Sequence, residues 1–586
     1  MTPSLRILVR SDQPENMFGP YTGELLKLEG ISDFDIADMG AGEDLPGGDP
    51  QVVILTRARL YNREQEQLLS YVRNGGSLIV FRPSYRLCEA LGLTATFTVT
   101  PAAYLLPDAD HPVSRGLPHE PLQCHWPMER YGLGSLPGGA EIIAHDYADL
   151  NSPTGYPAVV SFLFGNGRIG LCFYDPPATV ARLRFGNPDQ ASINTMGFRF
   201  YTRSGDLFTD HFDISRGHLP QADLHCNLLS NLIAHLSPQP VPRLWYYRVP
   251  EERSALPMRS DDDWSTVEMF EALHSGVEQR GGHCTFYLVR DTNLPDATVK
   301  EWLAAGHNFG YHSNPNSTPE DPYLAIEGIL RDDAANFEQR YGYTARTTQI
   351  HCATWRGYMD LVPVFHDIGL RMAVTYGSHL KTYGTYMCGS SRPLKFINEF
   401  GRIMDIFQQT TVIYDDASVQ KMLTEEVDTE LEKVARTLDN AVNLTYSPIG
   451  FQSHPVSYFT YSAPYIGGCM DLAQERGVPV LSMDEWLEFT QRRYEADLTL
   501  SSADGSSIEC DLTAGSLSGP LTVAVPVPEG RIPTAATVDG QSVEPTLRSI
   551  LGPRYALVPV ELQAPGELRR ITVHISAEQG GSQDYG

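Results

Sequence analysis

The chain has 586 residues, with 72 acidic and 44 basic side chains and a formal net charge of −28. Its length predicts about three to five domains. Its content of 42% hydrophobic and 20% charged residues is that of a folded protein and excludes a disordered or fibrous one. Because the acidic excess repels phosphate backbones and anionic lipids, we expect neither a nucleic-acid partner nor a membrane partner.

The first ten residues and the cysteines indicate in which cellular compartment the protein is expected. A short apolar run meets charged residues almost at once, which indicates a first strand and not a signal peptide. No apolar stretch approaches the ~20 residues that cross a bilayer. The nine cysteines are scattered singly, without a C-x-x-C pair, as is typical of buried thiols in a reducing compartment. We therefore expect a cytoplasmic protein, and whether it forms a homo-oligomer is left open.

Residues 1–245 are predicted to form a doubly wound α/β domain. Helical periodicity that ends in Gly-Gly and is followed by an apolar strand is typical of a parallel sheet. The segment from about Phe185 to His218 is polar and is expected to leave the sheet. The predicted elements are strands at Leu5–Val9, Val52–Leu55, Ser77–Phe81 and Arg168–Tyr174, and helices at Asn62–Arg73 and Leu224–Leu236.

Two segments of this domain, Tyr71–Val80 and Gly165–Gly170, carry a resemblance to a known fold. The region resembles the class I glutamine-amidotransferase-like fold, in particular its trehalose-utilisation-like branch. Active amidotransferases place a cysteine in a Gly-x-Cys-x-Gly elbow, and this motif does not occur here. Cys88 has helical spacing and no flanking glycines. The resemblance therefore implies a structural or ligand-docking domain without a catalytic cysteine.

Residues 246–494 are predicted to be a second α/β module, and they contain three consecutive aspartates. The segment Met258–Trp264 reads Met-Arg-Ser-Asp-Asp-Asp-Trp and precedes a predicted helix, Ser265–Arg280. Three adjacent carboxylates repel one another unless a cation or a proton relieves them. The alternative is helix capping, because aspartates in the first turn complement the helix dipole.

Three histidines follow, each at the end of a predicted strand. His312 comes after a predicted helix, Asp296–Ala305, while His351 and His454 end later strands. Neutral imidazole is a good ligand for zinc and similar ions. Polar groups at the C-terminal ends of successive parallel strands are the arrangement of a β/α-barrel active site. The sequence therefore predicts that the aspartates and histidines share one site.

The order Asp-Asp, His-Ser, an Arg-bearing loop and a late His is similar to that of the polysaccharide deacetylase family (carbohydrate esterase family 4, the NodB homology domain). The resemblance implies a distorted (β/α)7 barrel and a divalent metal, commonly zinc, that serves to remove N- or O-linked acetyl groups from a polysaccharide or oligosaccharide. It implies these roles: Asp261 as catalytic base, Asp262 as metal-binding aspartate, His312 as first metal histidine, Arg356 with Trp355 in the loop that supports the base, and His454 as general acid.

The third metal ligand is open. Where the family has a second histidine after the first, this chain reads Asn314-Pro-Asn316. An amide oxygen is a weaker ligand for transition metals than imidazole. Asn316 completes the site, or His351 supplies a nitrogen from the neighbouring strand, or no tight metal binds.

Aromatic and acidic residues beside the predicted site suit a carbohydrate substrate. Trp264, Tyr311 and Trp355 are expected there, where flat rings stack on sugar faces. Asp416 either lines the pocket or belongs to a solvated turn. Asp263 is expected to cap a helix or to support the metal ligands.

Residues 495–586 change to short alternating apolar runs separated by turn residues. This pattern predicts a small antiparallel β-sandwich. The predicted fold is thus α/β, with a distorted (β/α)7 barrel between an N-terminal doubly wound domain and a C-terminal sandwich.

Two functions compete with carbohydrate deacetylation. A glycoside hydrolase or lyase on the same barrel would use carboxylates such as Asp261, Asp263 and Asp416, although adjacent aspartates point apart and glycosidases need carboxyls about 5–9.5 Å apart. A carbohydrate-binding protein with a degenerate site is the other alternative.

Overall fold

The computed structural model describes residues 3–42, 51–132, 134, 136–195, 197, 202–315, 322–377 and 382–578. The chain is a mixed α/β protein that divides into two compact units. Unit 1 comprises Met1–Thr179, His225–Pro250 and Gln491–Gly586, and unit 2 comprises Val180–Leu224 and Glu251–Thr490. The boundaries of the three predicted modules stay predictions. The predicted excursion from the first sheet, about 185–218, lies in unit 2.

The first part of the chain alternates strands and helices, with bounds that match the predicted ones at Leu5–Val9, Val52–Leu55, Asn62–Arg73 and Ser77–Phe81. Its elements are β1 (Leu5–Val9), α1 (Thr22–Leu28), β2 (Phe34–Asp38), β3 (Val52–Leu55), α2 (Asn62–Arg73), β4 (Ser77–Phe81), α3 (Tyr85–Ala90), β5 (Ala95–Thr100), β6 (Tyr104–Pro107), β7 (Leu122–Gln123), β8 (Met128–Tyr131), β9 (Glu141–Tyr147), β10 (Pro153–Phe164), β11 (Gly167–Cys172), α4 (Pro176–Phe185), α5 (Gln221–Leu236) and β12 (Arg243–Leu244).

These strands form a nine-stranded sheet in the order β2-β1-β3-β4-β11-β10-β9-β6-β7. The first five are parallel and the last four add in antiparallel fashion. Strands β3 and β4 are wholly buried, as expected for parallel strands covered on both faces. Cys88 lies in α3 with its thiol buried, and burial raises its pKa to about 12. It therefore stays protonated and unreactive at neutral pH.

The middle of the chain supplies β13 (Leu256–Asp261), α6 (Val267–Glu278), β14 (Thr285–Leu288), α7 (Asp296–Ala304), β15 (Asn308–Ser313), α8 (Pro322–Tyr341), β16 (Thr347–Ile350), α9 (Val362–Asp367), β17 (Met372–Ala373), β18 (Leu394–Ile397), β19 (Ile403–Gln408), α10 (Gln420–Glu425), α11 (Val427–Asn440), β20 (Phe451–Ser453), α12 (Pro455–Ser457), α13 (Ala463–Glu475), β21 (Val480–Ser482) and α14 (Met483–Glu495).

The strands of unit 2 run in the order β18-β19-β17-β16-β15-β14-β13-β20, and β21 also pairs with β13. All of these pairings are parallel except that of β18 with β19. Over the described residues the strands do not close into a barrel. Two single parallel bridges, Gly377 with Thr411 and Ile413 with Phe451, lie beyond the continuous ladders. The (β/α)7 barrel therefore stays a prediction.

The last part of the chain is antiparallel. It consists of β22 (Asp497–Ala503), β23 (Ser507–Thr513), β24 (Gly519–Pro526), β25 (Arg531–Val538), β26 (Gln541–Val543), β27 (Thr546–Ser549), β28 (Arg554–Leu562) and β29 (Leu568–Ala577). One sheet has the order β12-β24-β28-β27 and the other β22-β23-β29-β25-β26. The all-antiparallel prediction is confirmed for these residues.

Single helical turns of the 3-10 or π type lie at Pro14–Asn16, Gly19–Tyr21, Met39–Ala41, Pro188–Gln190, Ser204–Phe208, Ile214–Arg216, His351–Ala353, Ala417–Val419, Ala441–Thr445 and Tyr458–Ser462. In the part of the chain that the structure describes, no helix combines the length and the apolar character that a bilayer crossing requires.

Candidate metal centre and active site

The three consecutive aspartates at the end of β13 have different surroundings, because successive side chains of a strand point to opposite faces. Asp261 is the last residue of the strand, and its carboxylate is bound by Arg259 Nη1 at 2.5 and 2.6 Å. Gln452 Nε2 donates to the same carboxylate at 2.9 Å. Burial lowers the pKa of the imidazoles of His312, His351 and His454. The negative charge of Asp261 has the opposite effect on each of these pKa values. Asp261 therefore faces the histidines.

Asp262 points away from the histidines and caps the following turn. Its Oδ1 accepts the Ser265 N–H at 3.0 Å, and its Oδ2 accepts the Val289 N–H at 3.2 Å. The side chain is fully buried, and burial raises its pKa to about 6. This position differs from the sequence-based assignment of Asp262 as the metal-binding aspartate, because its oxygens are already used by backbone donors.

Asp263 is the aspartate that lies among the histidines. Its Oδ1 is 3.3 Å from His312 Nε2 and 3.6 Å from His351 Nε2. Burial alone raises the pKa of Asp263, but the neighbouring imidazoles of His312, His454 and His351 outweigh burial and hold the pKa below its usual range. One ligand atom from each of Asp263, His312 and His351 lies within 4.8 Å of the others, a separation that a single metal ion bridges.

The two histidines are oriented as metal ligands. His312 Nδ1–H donates to the Gln349 carbonyl at 3.2 Å, and His351 Nδ1–H donates to Asn314 Oδ1 at 3.1 Å. Each hydrogen bond fixes the tautomer with a lone pair on Nε2, which points toward Asp263. Among the described residues, His312 Nε2 and Asp263 Oδ1 are buried without a hydrogen-bond partner. Buried polar atoms are rarely left unpaired, so this site fits a divalent metal ion.

The third ligand was open between Asn316 and His351. Asn316 lies outside the described residues, so its prediction stays untested. The structure brings His351 beside His312, with their ring centroids 5.3 Å apart. His351 thus lies within reach of an ion held by Asp263 and His312, and its role as third ligand stays a prediction.

Two other groups in the described residues combine histidine and glutamate: His111, Glu141 and His235, and His274, Glu278 and His307. In each group one Nδ1 is an acceptor, since His111 Nδ1 takes the Val113 N–H at 3.2 Å and His307 Nδ1 takes the Cys284 N–H at 3.2 Å. A neutral imidazole that accepts at Nδ1 carries its proton on Nε2 and cannot ligate there. These tautomers disfavour metal binding at both groups.

His454 lies on the other side of Asp263 and is held by an aspartate. Its Nδ1–H donates to Asp415 Oδ1 at 2.8 Å, and its Nε2 is 3.8 Å from Asp263 Oδ2. Burial lowers the pKa of His454, but the Asp415 hydrogen bond and the charges of Asp263, Asp415 and Asp261 outweigh burial and raise it to about 10. An imidazolium beside a metal site is placed to give a proton to a leaving group.

Asp415 is a functional residue that the sequence analysis missed. It is fully buried and also accepts hydrogen bonds from Ser453 Oγ at 2.8 Å and Ser462 Oγ at 2.6 Å. Its neighbour Asp416, the predicted pocket residue, instead accepts the Ser418 N–H at 2.7 Å and begins a short helical turn. Both aspartates lie in a loop, where no periodicity of the sequence indicates which of the two contacts the histidine.

The predicted supporting arginine lies elsewhere. Arg356 Nη2 is 3.5 Å from Glu327 Oε2, so its ion pair is with that glutamate. Arg259 holds Asp261 instead, and its Nη2 also donates to Gln452 Oε1 at 2.6 Å. Both Arg259 and Gln452 stand two residues before a predicted site residue on the same strand, and this spacing was the signal for them.

The three predicted sugar-stacking rings differ in exposure. Tyr311 and Trp355 are buried, with Tyr311 against Phe337 and Trp355 in the core of unit 2. Trp264 is 43% exposed, and its ring meets the His351 ring edge-on with centroids 5.7 Å apart. Only Trp264 of the three is therefore available to a ligand.

The backbone beside the metal ligands is strained. Asp263 and Trp264 have φ values of 46° and 56°, and Cys352 and Ala353 have φ values of 58° and 52°. Residues other than glycine rarely adopt this left-handed region, and such strain is found preferentially at functional sites. Two strained pairs next to Asp263 and His351 set the direction of both ligands.

No protein-family model matches the chain, and no curated protein matches it. The solved structures to which the chain is similar include Agd3, described as a novel carbohydrate deacetylase. Its alignment covers 98% of this chain and 99% of that chain, with 13% identity and a TM-score of 0.43.

Two smaller proteins align with part of the chain. The polysaccharide deacetylase Bc1974 from Bacillus cereus has 13% identity over 39% of this chain and 91% of its own, with a TM-score of 0.26. A family 4 carbohydrate esterase from Streptomyces lividans, solved with acetate, has 11% identity over 39% of this chain and 91% of its own, with a TM-score of 0.25.

Proposed function

We propose that the protein is a metal-dependent hydrolase that removes acetyl groups from a carbohydrate. The observation that carries the proposal is the convergence of Asp263, His312 and His351, with both Nδ1 atoms hydrogen-bonded and both Nε2 lone pairs directed at one carboxylate. A triad of one carboxylate and two imidazoles is a frequent ligand set of catalytic zinc, with a coordination position left open. Acetyl removal from a sugar is the activity that the sequence resemblance implies.

Asp263, His312 and His351 would hold the ion. When bound, a divalent metal supplies Lewis acidity, which polarises a carbonyl oxygen and favours ionisation of water near neutral pH. The remaining catalytic work falls to side chains of this chain.

Asp261 is proposed as the general base. Its carboxylate faces the histidines and is fixed from behind by Arg259 and Gln452, so it is oriented before the substrate arrives. Asp261 takes a proton from the water that attacks the acetyl carbonyl, a role that contributes typically about 10²–10⁴-fold to rate.

His454 is proposed as the general acid. With Nδ1 tied to Asp415, its Nε2 is the atom directed at the site, and that Nε2 gives a proton to the departing amine or alkoxide. Gln452 lies 3.2 Å from this Nε2 and also contacts Asp261, so one amide aligns the acid and the base.

Acetate release tests the proposal. Protein reconstituted with Zn²⁺ is incubated with N-acetylated chitooligosaccharides and with O-acetylated xylooligosaccharides, and both free acetate and new reducing ends are measured. We expect acetate from at least one substrate class, its loss with a chelator, and its restoration by Zn²⁺. Asp261→Asn should abolish release, whereas Asp416→Asn, a half-buried aspartate that caps a short helical turn, should not.

New reducing ends without acetate would replace deacetylation by the glycosidase alternative. Sugar binding with neither product, in protein that holds one metal per chain, would favour a carbohydrate-binding role.

A further inference from the structure

The N-terminal sheet has an edge at which ligands are commonly bound in folds of this topology. Its parallel strands run in the order β2-β1-β3-β4-β11, so the chain leaves β1 toward one side and returns at β3 on the other. In doubly wound sheets, ligands bind outside the carboxyl ends of strands near such a switch point. The residues just after β1, β3, β4 and β11 here include Arg10, Arg57, Arg82 and Asp175.

The part of this edge next to β1 is filled by the protein itself. Arg10 forms ion pairs with Glu64 at 2.8 Å and Asp12 at 3.0 Å. Asn16 Nδ2 donates to Thr56 Oγ1 at 2.7 Å and occupies the space between β1 and β3. A ligand would therefore have to lie further along, beyond β3 and β4.

Arg57, two residues beyond β3, has charged neighbours but no ion pair among the described residues. Its guanidinium has no hydrogen bond and no ion pair with any residue that the structure describes, although the side chain is only partly exposed. Burial lowers the pKa of Arg57, and the neighbouring Arg82 charge lowers it further. The backbone is fixed, because its carbonyl accepts from Asn16 Nδ2 at 2.7 Å. Partial burial of an unpaired charge is costly unless a counter-ion joins it.

Arg57 and its charged neighbours form a cluster with nearly balanced charge. Arg82 donates through Nε and Nη2 to one oxygen of Glu129, at 3.0 and 2.8 Å, and its φ of 42° is in the left-handed region. Asp175 is buried, and burial raises its pKa to about 6 against the charges of Arg57 and Arg82. The guanidinium groups of Arg57 and Arg82 thus lie near the carboxylates of Glu129 and Asp175, and Glu15 also acts on Arg57.

We propose that this charged cluster binds a small organic monocarboxylate, which pairs with the guanidinium of Arg57. The planar fork of arginine matches the two oxygens of a carboxylate. A singly charged ligand fits better than a phosphate dianion, since Glu129 and Asp175 repel a second negative charge. The inference does not depend on the proposed deacetylase function, because all of these residues belong to unit 1.

Ligand-observed NMR tests the proposal with butyrate as the probe and 1-butanol as its uncharged counterpart. The full chain is first treated with a chelator, so that carboxylate binding at the metal centre is removed. We expect saturation transfer to butyrate but not to 1-butanol. Arg57→Gln should weaken butyrate binding by at least about tenfold, the value of a charge-assisted bidentate pair. Arg63→Gln, which removes an exposed arginine of α2, should bind butyrate as the wild type does.

A second variant is expected to change the affinity for butyrate in the opposite direction. Glu129→Gln removes the anion that holds Arg82, so butyrate should bind more tightly than to the wild type. The thermal midpoint of Arg57→Gln should equal or exceed that of the wild type, because the substitution removes a partly buried charge that has no ion pair among the described residues. The proposal is overturned if Arg57→Gln binds butyrate like the wild type, if phosphate binds better than butyrate, or if Arg57→Gln lowers the midpoint and leaves binding intact.

Discussion

Asp263 Oδ1 lies 3.3 Å from His312 Nε2, and both atoms are buried without a hydrogen-bond partner among the described residues. Here an unpaired imidazole nitrogen lies beside an unpaired carboxylate oxygen, whereas the unpaired buried atoms of His274 and His307 are both imidazole nitrogens. Its carboxylate stands one residue after the expected one, because Asp262 is turned toward backbone N–H groups.

Asp263→Asn and Asp262→Asn should therefore have different effects. Asp263→Asn removes a charged ligand, so we expect affinity for Zn²⁺ to fall by more than about 100-fold, beyond the effect of changing a group that only supports a ligand. Asp262→Asn keeps one acceptor but sets an amide N–H against the Val289 N–H. It should lower stability by about 1–3 kcal/mol and leave Zn²⁺ affinity nearly unchanged. Chelator competition and thermal unfolding measure the two quantities.

Loss of Zn²⁺ affinity in Asp262→Asn, with Asp263→Asn unaffected, would return the metal to the aspartate that the family resemblance indicates. His366→Gln, an exposed histidine of α9, serves as the control for any general effect of removing an imidazole.

Asp415→Asn tests the partner of the proposed acid. Without the carboxylate, His454 loses the hydrogen bond that orients its Nδ1–H, so Nε2 is no longer held toward the site. We expect kcat to fall by about 10²-fold or more, the scale of general acid catalysis, with KM and metal content little changed. Asp416→Asn is the matched control, one residue away and half-buried, with its carboxylate bound by the Ser418 N–H. A proportional loss of metal from Asp415→Asn would assign Asp415 to the metal shell instead.

The sequence predicted the elements of this site better than the directions of its side chains. Strand ends at His312, His351 and His454 were foreseeable, because apolar runs stop there at polar turns. Which of three adjacent aspartates faces the histidines was not, because Asp263 has a left-handed backbone conformation that only tertiary contacts impose. The same limit applies to Asp415 and Asp416, because an assignment that is wrong by one residue selects the carboxylate that does not contact His454.

Chain organisation was predicted less well than local structure. Segment 180–224 joins unit 2 although its neighbours in sequence belong to the N-terminal sheet. Periodicity reports local burial and carries no signal about which sheet a polar excursion packs on. The antiparallel C-terminal strands were predictable because alternation and turn residues are local features.

Trp264 offers a test of strain and of substrate contact in one position. Its φ of 56° is unfavourable for any residue with a Cβ, so Trp264→Gly should be more stable than Trp264→Ala by about 1 kcal/mol. Both variants lose the exposed ring beside His351, and we expect KM for an oligosaccharide to rise several-fold in each while metal content is unchanged. Equal stability of the two variants would contradict the strain, and an unchanged KM would remove the ring from the substrate site.

A cluster of imidazoles on α6 and just before β14 and β15 predicts a loss of stability in mild acid. The ring centroid of His307 lies 4.5 Å from that of His274 and 5.5 Å from that of His283. Glu278 and Glu301 are the acids near His274, and Glu485 is the acid near His283. Burial, followed by the charges of His274 and His283, lowers the pKa of His307 to about 3.

Because this pKa lies below the value of about 6.5 in the unfolded chain, the unfolded state takes up the proton first as pH falls. Stability from a neutral His307 is thus complete above pH 6.5 and decreases toward pH 3, by at most about 1.4 kcal/mol per pH unit. His307→Asn keeps an acceptor for the Cys284 N–H but does not titrate, so its thermal midpoint should fall less than that of the wild type between pH 7 and pH 5. His366→Asn should follow the wild type, and a His307→Asn curve parallel to the wild type would show that other groups govern the acid response.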